Sequence, residues 1–268
     1  MTFLDHLEEL RWHLVRAIGA VVFFAIFFFI NREFILDEII LKPFQADFPT
    51  NKILCSIRDS LCGEVSVEFI AITPYEKFIK ALSLSIIGGV VIGFPYILWE
   101  IWRFIKPGLH THEKSGLRGN IFIMSLLFFL GVAFSYYVIT PFSIQFLAGF
   151  DLTEGLENQW RIGSVISFVA QITLGGGILF EMPILVYYLT KLGVITPEFM
   201  KRYRRHAYVI LLILAAIITP PDVLSQILIF IPLSTLYEIS IRISRAVVRK
   251  EQANEQASSA EKSVSTTE

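Results

Sequence analysis

Long stretches without a charged residue divide this chain, and they restrict its possible folds more than any other feature of the sequence. The uncharged stretches cover residues 17–31, 81–99, 119–150, 162–180, 207–221 and 223–237. A helix that crosses the hydrocarbon core of a bilayer needs about 20 mostly apolar residues. The spacing of the charges therefore predicts an all-α, polytopic integral membrane protein with six transmembrane helices.

Composition supports this class and excludes others. Hydrophobic residues make up 54% of the chain and charged residues 18%. Soluble domains contain about 45–50% apolar residues and about 25% charged residues. The formal net charge is −1, which provides no basic surface for nucleic acid. These values exclude a nucleic-acid-binding protein and most classes of soluble enzyme.

The predicted spans lie near residues 14–31, 78–102, 119–140, 162–190, 206–219 and 223–241. We expect Pro141 to end the third span, because proline cannot continue the hydrogen bonding of a helix. The last two spans are short, and a short span needs a thinner bilayer or a shallow hairpin. An amphipathic helix is predicted over residues 2–16, before and into the first span. Its apolar face carries Phe3, Leu7, Leu10 and Leu14.

The distribution of basic residues predicts the orientation. Sixteen of the 23 lysines and arginines lie in the connections on the side of the two chain ends, and cytoplasmic connections carry such an excess. Both termini are therefore predicted to be cytoplasmic. Residues 1–248 form one membrane domain, and residues 249–268, which lack apolar periodicity, form a disordered cytoplasmic tail.

Two cysteines, Cys55 and Cys62, lie in the loop over residues 31–76, on the outer side of this prediction. In an oxidising compartment they form a disulfide; in a reducing one they stay as two thiols. With no further cysteine or histidine nearby, we expect no metal site.

No catalytic signature is present. His112 and Glu113 begin like a zinc-binding motif, but the second histidine at helical spacing is missing. The glycine-rich and nucleophile motifs of nucleotide-binding proteins and hydrolases are also missing. We therefore expect a protein that is not an enzyme and holds no cofactor.

Three carboxylates are the candidate functional groups. Glu181 interrupts the apolar fourth span, and a charged group there is either kept for a partner or pathway, or held by a structural hydrogen bond to a neighbouring helix. Glu9 projects with Asp5 and Glu8 from the flank of the N-terminal helix beside Arg11, where the three acids either form a solvated flank with Glu8 paired to Arg11 or are binding groups. Glu113 is the only acid of a basic loop, where local charge balance is the alternative role.

Four motifs follow one another along the chain. They are His6-Leu7-Glu8-Glu9-Leu10-Arg11, then Trp102-Arg103-Phe104-Ile105-Lys106-Pro107-Gly108-Leu109 with His112-Glu113, then Phe180-Glu181-Met182-Pro183, then Thr219-Pro220-Pro221-Asp222 with Ser225-Gln226. In this order, on six predicted spans, they resemble the motifs of the TatC family, the polytopic subunit of the twin-arginine protein translocase. The resemblance covers roughly residues 2–245.

The resemblance implies a receptor for the paired arginines of export signal peptides. Carried over from the family, Glu9 and Glu113 are the carboxylates that face the two guanidinium groups. Arg11, Phe104, Leu109 and His112 complete this site. The chemistry is suitable, because a carboxylate accepts two parallel hydrogen bonds from a guanidinium, which lysine cannot donate in that geometry.

The resemblance also implies partners and a location. Glu181 would contact the polar end of a single-span TatA- or TatB-type helix, and Asp222 and Gln226 would belong to the docking region of these subunits. Pro220 and Pro221 form the turn there, and Pro43 shapes the first outer loop. The implied setting is a homo-oligomeric receptor complex in the bacterial cytoplasmic (inner) membrane, which transports folded precursors with the proton gradient.

Two other functions are weighed against this one. A secondary transporter or proton channel would use Glu181 as its titrating group, but inverted repeats and paired broken helices are not evident, and one buried acid does not make a continuous proton path. An intramembrane enzyme would need a catalytic constellation that the sequence lacks. A transporter should work alone in liposomes, whereas a translocase receptor should need its single-span partners.

Overall fold

The fold is known from a computed structural model, which describes residues 3–57, 67–105, 117–149, 159–219 and 223–265. The long helices are α1 (Phe3–Ile30), α4 (Glu76–Ile105), α5 (Leu117–Phe134), α7 (Ile162–Phe180), α10 (Arg204–Ile218) and α11 (Val223–Ser265). The shorter helices are α2 (Arg32–Ile35), α3 (Pro49–Ile57), α6 (Thr140–Ala148), α8 (Met182–Lys191) and α9 (Pro197–Arg202). Ten residues named above lie outside the described residues: Cys62, Lys106, Pro107, Gly108, Leu109, His112, Glu113, Pro220, Pro221 and Asp222.

The protein is a polytopic helical membrane protein. Within the described residues, five helical stretches are long and apolar enough to cross a membrane: Glu8–Ile30, Glu76–Phe104, Gly119–Ala148, Ile162–Lys191 and Ser225–Ala253. Helix α10 has 15 residues and corresponds to the predicted short fifth span. The stretch predicted as a short sixth span is the beginning of α11, which has 43 residues.

The N-terminal segment and the first span are one helix. Helix α1 runs without interruption over 28 residues and packs along α4 more extensively than any other pair of described helices. Small residues allow this close approach: a Cβ atom on Gly89 would lie 2.6 Å from the carbonyl oxygen of Val21. The α1–α4 pair is therefore a closely packed unit that reaches from one end of the bundle to the other.

The third span does not end at Pro141, contrary to the sequence-based expectation. A π-helical segment, Ser135–Ile139, follows α5, and α6 continues from it to Ala148. The wider π-turn accommodates a proline in the first turn of α6, where a missing N–H disturbs least. The hydroxyl of Thr140 donates to the carbonyl oxygen of Ser135 at 2.9 Å, the same oxygen that accepts from the backbone N–H of Thr140.

The fourth span is broken in its second half. Helix α7 ends at Phe180, Glu181 forms a turn, and α8 begins at Met182 with Pro183 in its first turn. A proline inside a helix removes one backbone hydrogen bond and favours such a break. Before the break, α7 lies so close to α5 that a Cβ on Gly131 would be 2.7 Å from the carbonyl oxygen of Gly176.

Residues 32–57 and 67–75, which we call the cap, cover one end of the bundle. Besides α2 and α3, the cap contains a π-helical segment, Leu36–Ile40, a 3₁₀ turn, Lys42–Phe44, and strand β1, Glu68–Ile70. Strand β1 pairs in parallel with β2, Gln159–Arg161, so that Phe69 lies opposite Trp160. The sequence does not predict this two-stranded sheet, because each strand has only three residues.

The tail also differs from its expectation. Helix α11 continues to Ser265, whereas the composition predicts disorder from residue 249. Glutamate, glutamine, alanine and lysine dominate this segment, and these residues have high intrinsic helix propensity even without an apolar face.

Candidate functional site

The predicted signal-peptide site begins on α1 and α4. Glu9 is half-buried on α1, Arg11 is exposed, and Phe104 is half-buried in the last turn of α4. The ring of His13, one helical turn after Glu9, meets the ring of Phe104 edge-on with 6.2 Å between centroids. The structure therefore brings the N-terminal part of α1 to the end of α4. Whether Glu113 joins Glu9 stays a prediction, because the loop after α4 lies outside the described residues.

Beneath this surface lies a buried polar cluster centred on Glu100 of α4, of which only 2% is exposed. Nδ1 of His13 donates to Oε2 of Glu100 at 2.5 Å, and Nη1 of Arg16 lies 3.6 Å from the same oxygen. The hydroxyl of Tyr96 donates to Oε1 at 2.9 Å. One carboxylate therefore binds two basic side chains of α1 and one hydroxyl of its own helix. We call His13, Arg16, Tyr96 and Glu100 the Glu100 cluster.

Sequence reasoning missed this cluster. Glu100 stands directly after the uncharged stretch of residues 81–99, so it is counted there as the end of a span instead of a group within a helix. The signal was present: Glu100 has apolar Trp99 and Ile101 on either side, and Tyr96 lies one helical turn before it. A carboxylate in such surroundings needs hydrogen-bond partners.

Glu181 presents the opposite situation. Both of its carboxyl oxygens are buried, and neither forms a hydrogen bond with any described residue. The backbone of Phe128 on α5 lies beside the carboxyl group, and the turn that holds Glu181 is fixed by its N–H, which donates to the carbonyl oxygen of Ile178 at 3.1 Å. The fold thus holds an unsatisfied carboxyl group at a defined place in the fourth span.

The other polar residues of this region bind within the chain. The side-chain amide of Gln226 donates to the carbonyl oxygen of Leu212 at 3.1 Å, which ties α11 to α10. The amide of Gln171 donates to the carbonyl oxygen of Ile217 at 2.7 Å, which ties α7 to α10. Gln171 lies about 15 Å along the helix axis from Glu181, so its side chain is too far away to form a hydrogen bond with that carboxyl group.

Pro43 and Cys55 lie in the cap. Pro43 is fully buried, and its carbonyl oxygen accepts a hydrogen bond of 3.0 Å from the side chain of Asn51. The oxygen of that side chain accepts in turn from Gln145 of α6 at 2.8 Å. Pro43 therefore helps to join the cap to the third span. Cys55 lies on α3, and its bond to Cys62 stays untested.

In the part of the chain that the structure describes, no three histidines, cysteines, aspartates or glutamates are grouped so that they could hold a metal ion. The polar groups of the two sites are carboxylates, bases and a hydroxyl, a set that suits hydrogen bonding to charged partners more than covalent chemistry.

Comparison with known proteins gives a consistent result. The family model described as "Sec-independent protein translocase protein (TatC)" matches residues 5–232. The TatC protein of Blattabacterium sp. subsp. Periplaneta americana is 36% identical over 263 residues, which cover 93% of this chain and 97% of the relative. The TatC protein of Aquifex aeolicus is 35% identical over 258 residues, which cover 96% of this chain and all of the relative.

Solved structures agree with the sequence matches. A crystal structure of the twin-arginine translocase receptor TatC superimposes with a TM-score of 0.73 at 35% identity, covering 91% of this chain and 99% of that chain. A crystal structure of the same receptor in the detergent DDM gives a TM-score of 0.74 at 36% identity.

Proposed function

This chain belongs to the TatC family, and we propose that it binds twin-arginine signal peptides with the end of the bundle that carries Glu9 and Phe104. As a member of this family it is a multi-pass subunit of the twin-arginine translocase and not an enzyme. The finer role is proposed on the geometry: Glu9 is half-buried on α1, one helical turn before His13, whose ring contacts Phe104 in the last turn of α4. This juxtaposition is the observation that carries the proposal.

The proposed chemistry is charge-assisted hydrogen bonding. Each guanidinium of the signal peptide donates two parallel bonds to one carboxylate, Glu9 for one arginine and Glu113 for the other. The aromatic face of Phe104 borders the site, and Arg11, Leu109 and His112 complete it. The Glu100 cluster supports this arrangement, because it fixes α1 against α4 directly below Glu9.

A second part of the proposal concerns the single-span subunits. We place a TatA- or TatB-type helix at Glu181, whose unsatisfied carboxyl group can accept or donate a hydrogen bond to a polar side chain of that helix. Asp222 and Gln226 belong to the same docking region. The amide nitrogen of Gln226 donates to the carbonyl oxygen of Leu212, so a partner side chain would donate to its carboxamide oxygen.

The orientation of the proposed receptor is inferred from the basic residues, and the rest of its setting from its membership of a family with bacterial relatives. Both termini and the Glu9 site lie on the cytoplasmic side of a bacterial inner membrane, and the cap lies outside. The receptor acts as a complex of several copies, and assembly of the single-span subunits uses the proton gradient.

Site-specific photo-crosslinking tests the receptor role. A photoreactive residue replaces Glu9 or Glu113 in membranes that contain a twin-arginine signal peptide or its twin-lysine counterpart. We expect crosslinks to the arginine peptide alone. A photoreactive residue at Ile53, exposed on the cap, is the control and should give none. Equal crosslinking of the two peptides, or none at either acidic position, would contradict the receptor role.

A further inference from the structure

A cavity of about 530 Å³ lies beside the bundle, where the end of α1 meets the beginnings of α4 and α7. Its walls are apolar and include Phe29, Phe78, Ala81 and Ile162. Its charged lining residues are Arg32, Lys77, Lys80 and Glu33. We call it the rim cavity. Its volume is within the range of about 300–1,000 Å³ that ligand pockets occupy.

The rim cavity lies at the level where the membrane changes from apolar to polar. Three membrane-crossing stretches meet there, Glu8–Ile30 at its end and Glu76–Phe104 and Ile162–Lys191 at their beginnings. Its charged side chains therefore lie at the depth of lipid headgroups, and its apolar walls adjoin the depth of the acyl chains. The cavity therefore has a charged end and an apolar end, as an amphiphilic molecule has.

The charge of the cavity is positive. Three of the seven basic residues assigned to the outer connections line it. The fourth charged group, Glu33, has a side chain that is 88% exposed and lies 4.0 Å from Arg32, so water screens its charge strongly. Lys80 donates to the hydroxyl of Ser167 at 2.5 Å, a neutral partner that leaves its charge uncompensated.

A neighbouring base shows the contrast. Nε of Arg161, on the last residue of β2, lies 2.6 Å from Oε1 of Glu76. The hydrogen bond that Arg161 donates to the carboxylate of Glu76 raises the pKa of Arg161 above its ordinary value, so Arg161 stays charged and Glu76 compensates its charge. Lys77 and Lys80, one and four residues after Glu76, are the cations that stay available to an anion.

From this geometry we infer that the rim cavity binds an anionic phospholipid. The phosphodiester would contact Lys77, Lys80 and Arg32, and one acyl chain would fill the space between Phe29, Phe78 and Ile162. Basic side chains next to the membrane attract anionic headgroups, and the apolar walls favour an acyl chain over water. This binding site is independent of the proposed signal-peptide site, which lies at the opposite ends of α1 and α4.

Native mass spectrometry of the purified full-length protein tests the inference, with phosphatidylglycerol or zwitterionic phosphatidylcholine added at equal concentration. We expect retention of phosphatidylglycerol in preference to phosphatidylcholine. The double variant Lys77→Gln/Lys80→Gln should weaken phosphatidylglycerol binding by about fivefold for each lysine removed. The matched control Lys42→Gln/Lys52→Gln removes the same charge from the cap outside the cavity and should bind as the wild type does.

A second variant tests the apolar half of the site. Ala81→Phe fills the cavity and leaves its charge unchanged, and we expect it to abolish retention of phosphatidylglycerol in protein that elutes as a single species on size exclusion. Equal retention of the two lipids by the wild type, or equal binding by the two lysine double variants, would overturn the inference. So would the retention of neither lipid, which would leave the cavity to a protein segment.

Discussion

Two carboxyl groups inside the membrane-crossing helices stand in opposite surroundings. Glu100 on α4 is 2% exposed and binds His13, Arg16 and Tyr96. Glu181, in the turn between α7 and α8, has two buried oxygens that form no hydrogen bond with any described residue. The same residue type therefore has all its partners within the chain at one site and none of them at the other.

The difference indicates two different tasks. A buried carboxylate with good hydrogen bonds to bases is a fixed part of the fold, and it holds α1 against α4. A buried polar group without a partner destabilises the folded state by about 1–3 kcal/mol, so it is expected where another molecule supplies the partner. We therefore propose that Glu100 helps to position the proposed signal-peptide site and that Glu181 recognises a second subunit.

Removal of the Glu100 carboxylate, which has all its hydrogen-bond partners within the chain, should have the largest effect on stability. We expect Glu100→Ala to lower the free energy of unfolding by about 3–5 kcal/mol, because His13 and Arg16 lose the anion that compensates them. Thermal unfolding of the detergent-solubilised protein measures this. Glu100→Gln, which keeps a hydrogen-bond acceptor for Tyr96, is the matched variant and should lose less. If Glu100→Ala unfolded with the wild-type midpoint, the Glu100 cluster would not hold the two helices together.

The proposed binding carboxylate above this cluster should give the next largest effect. Glu9→Gln is expected to weaken binding of a twin-arginine signal peptide by about 1.5–3 kcal/mol, the value of one hydrogen bond to a charged group. Fluorescence anisotropy with a labelled signal peptide measures the change. Unfolding should be unaffected, which distinguishes Glu9 from Glu100.

The chain offers a close control for that experiment. Glu8 precedes Glu9 and is exposed, so Glu8→Gln removes the same charge from the same helix. We expect wild-type affinity for this variant. Similar losses at both positions would mean that the two glutamates attract the peptide through their general charge and do not form a specific site.

Glu181→Leu should stabilise the protein, whereas Glu100→Ala should destabilise it. Replacing an unpartnered carboxyl group by an apolar side chain of similar size should raise the free energy of unfolding by about 1 kcal/mol, while recovery of the single-span subunits in a pull-down falls sharply. Signal-peptide binding should be kept.

The control for this variant is Glu238 of α11, which binds Arg204 at 2.8 Å and Tyr208 at 2.7 Å. Glu238→Leu should destabilise the protein, because it removes a partner from each of these side chains. A loss of stability in both leucine variants would show that Glu181 is satisfied within the folded chain, and unchanged subunit recovery would refute its proposed role.

The comparison also shows what a sequence predicts about such a chain. The apolar spans and the position of Glu181 within one of them are predicted from the spacing of charges. An isolated charge inside a long apolar run can be recognised from the linear sequence alone. Glu100 is equally buried, yet it stands at the edge of an apolar run, and its partners His13 and Arg16 are more than 80 residues away along the chain. Pairings over that distance depend on how α1 packs on α4.

Local departures from regular helix and strand geometry are the second kind of feature that the sequence does not predict. Pro141 is a strong signal for a helix end, but the π-helical segment before it lets the span continue to Ala148. The strands β1 and β2 are held by each other across about 90 residues, and neither has enough residues to show a strand pattern of its own. In both cases tertiary packing decides against the local rule.

Removal of the hydroxyl of Tyr96 should have the smallest effect on stability. It also tests most directly whether the hydrogen-bond partners of Glu100 act together. Tyr96 is 41% exposed, so water or a lipid headgroup can replace its hydroxyl, and the bases of α1 remain bound in the variant Tyr96→Phe. We expect a midpoint of thermal unfolding within about 2 °C of the wild type. In the background Glu100→Gln the same substitution should have a larger effect, because the neutral amide holds His13 and Arg16 less strongly and depends more on its remaining donor. Equal effects of Tyr96→Phe in both backgrounds would mean that the hydroxyl and the bases act on Glu100 independently, and that the cluster is a set of separate contacts instead of one cooperative network.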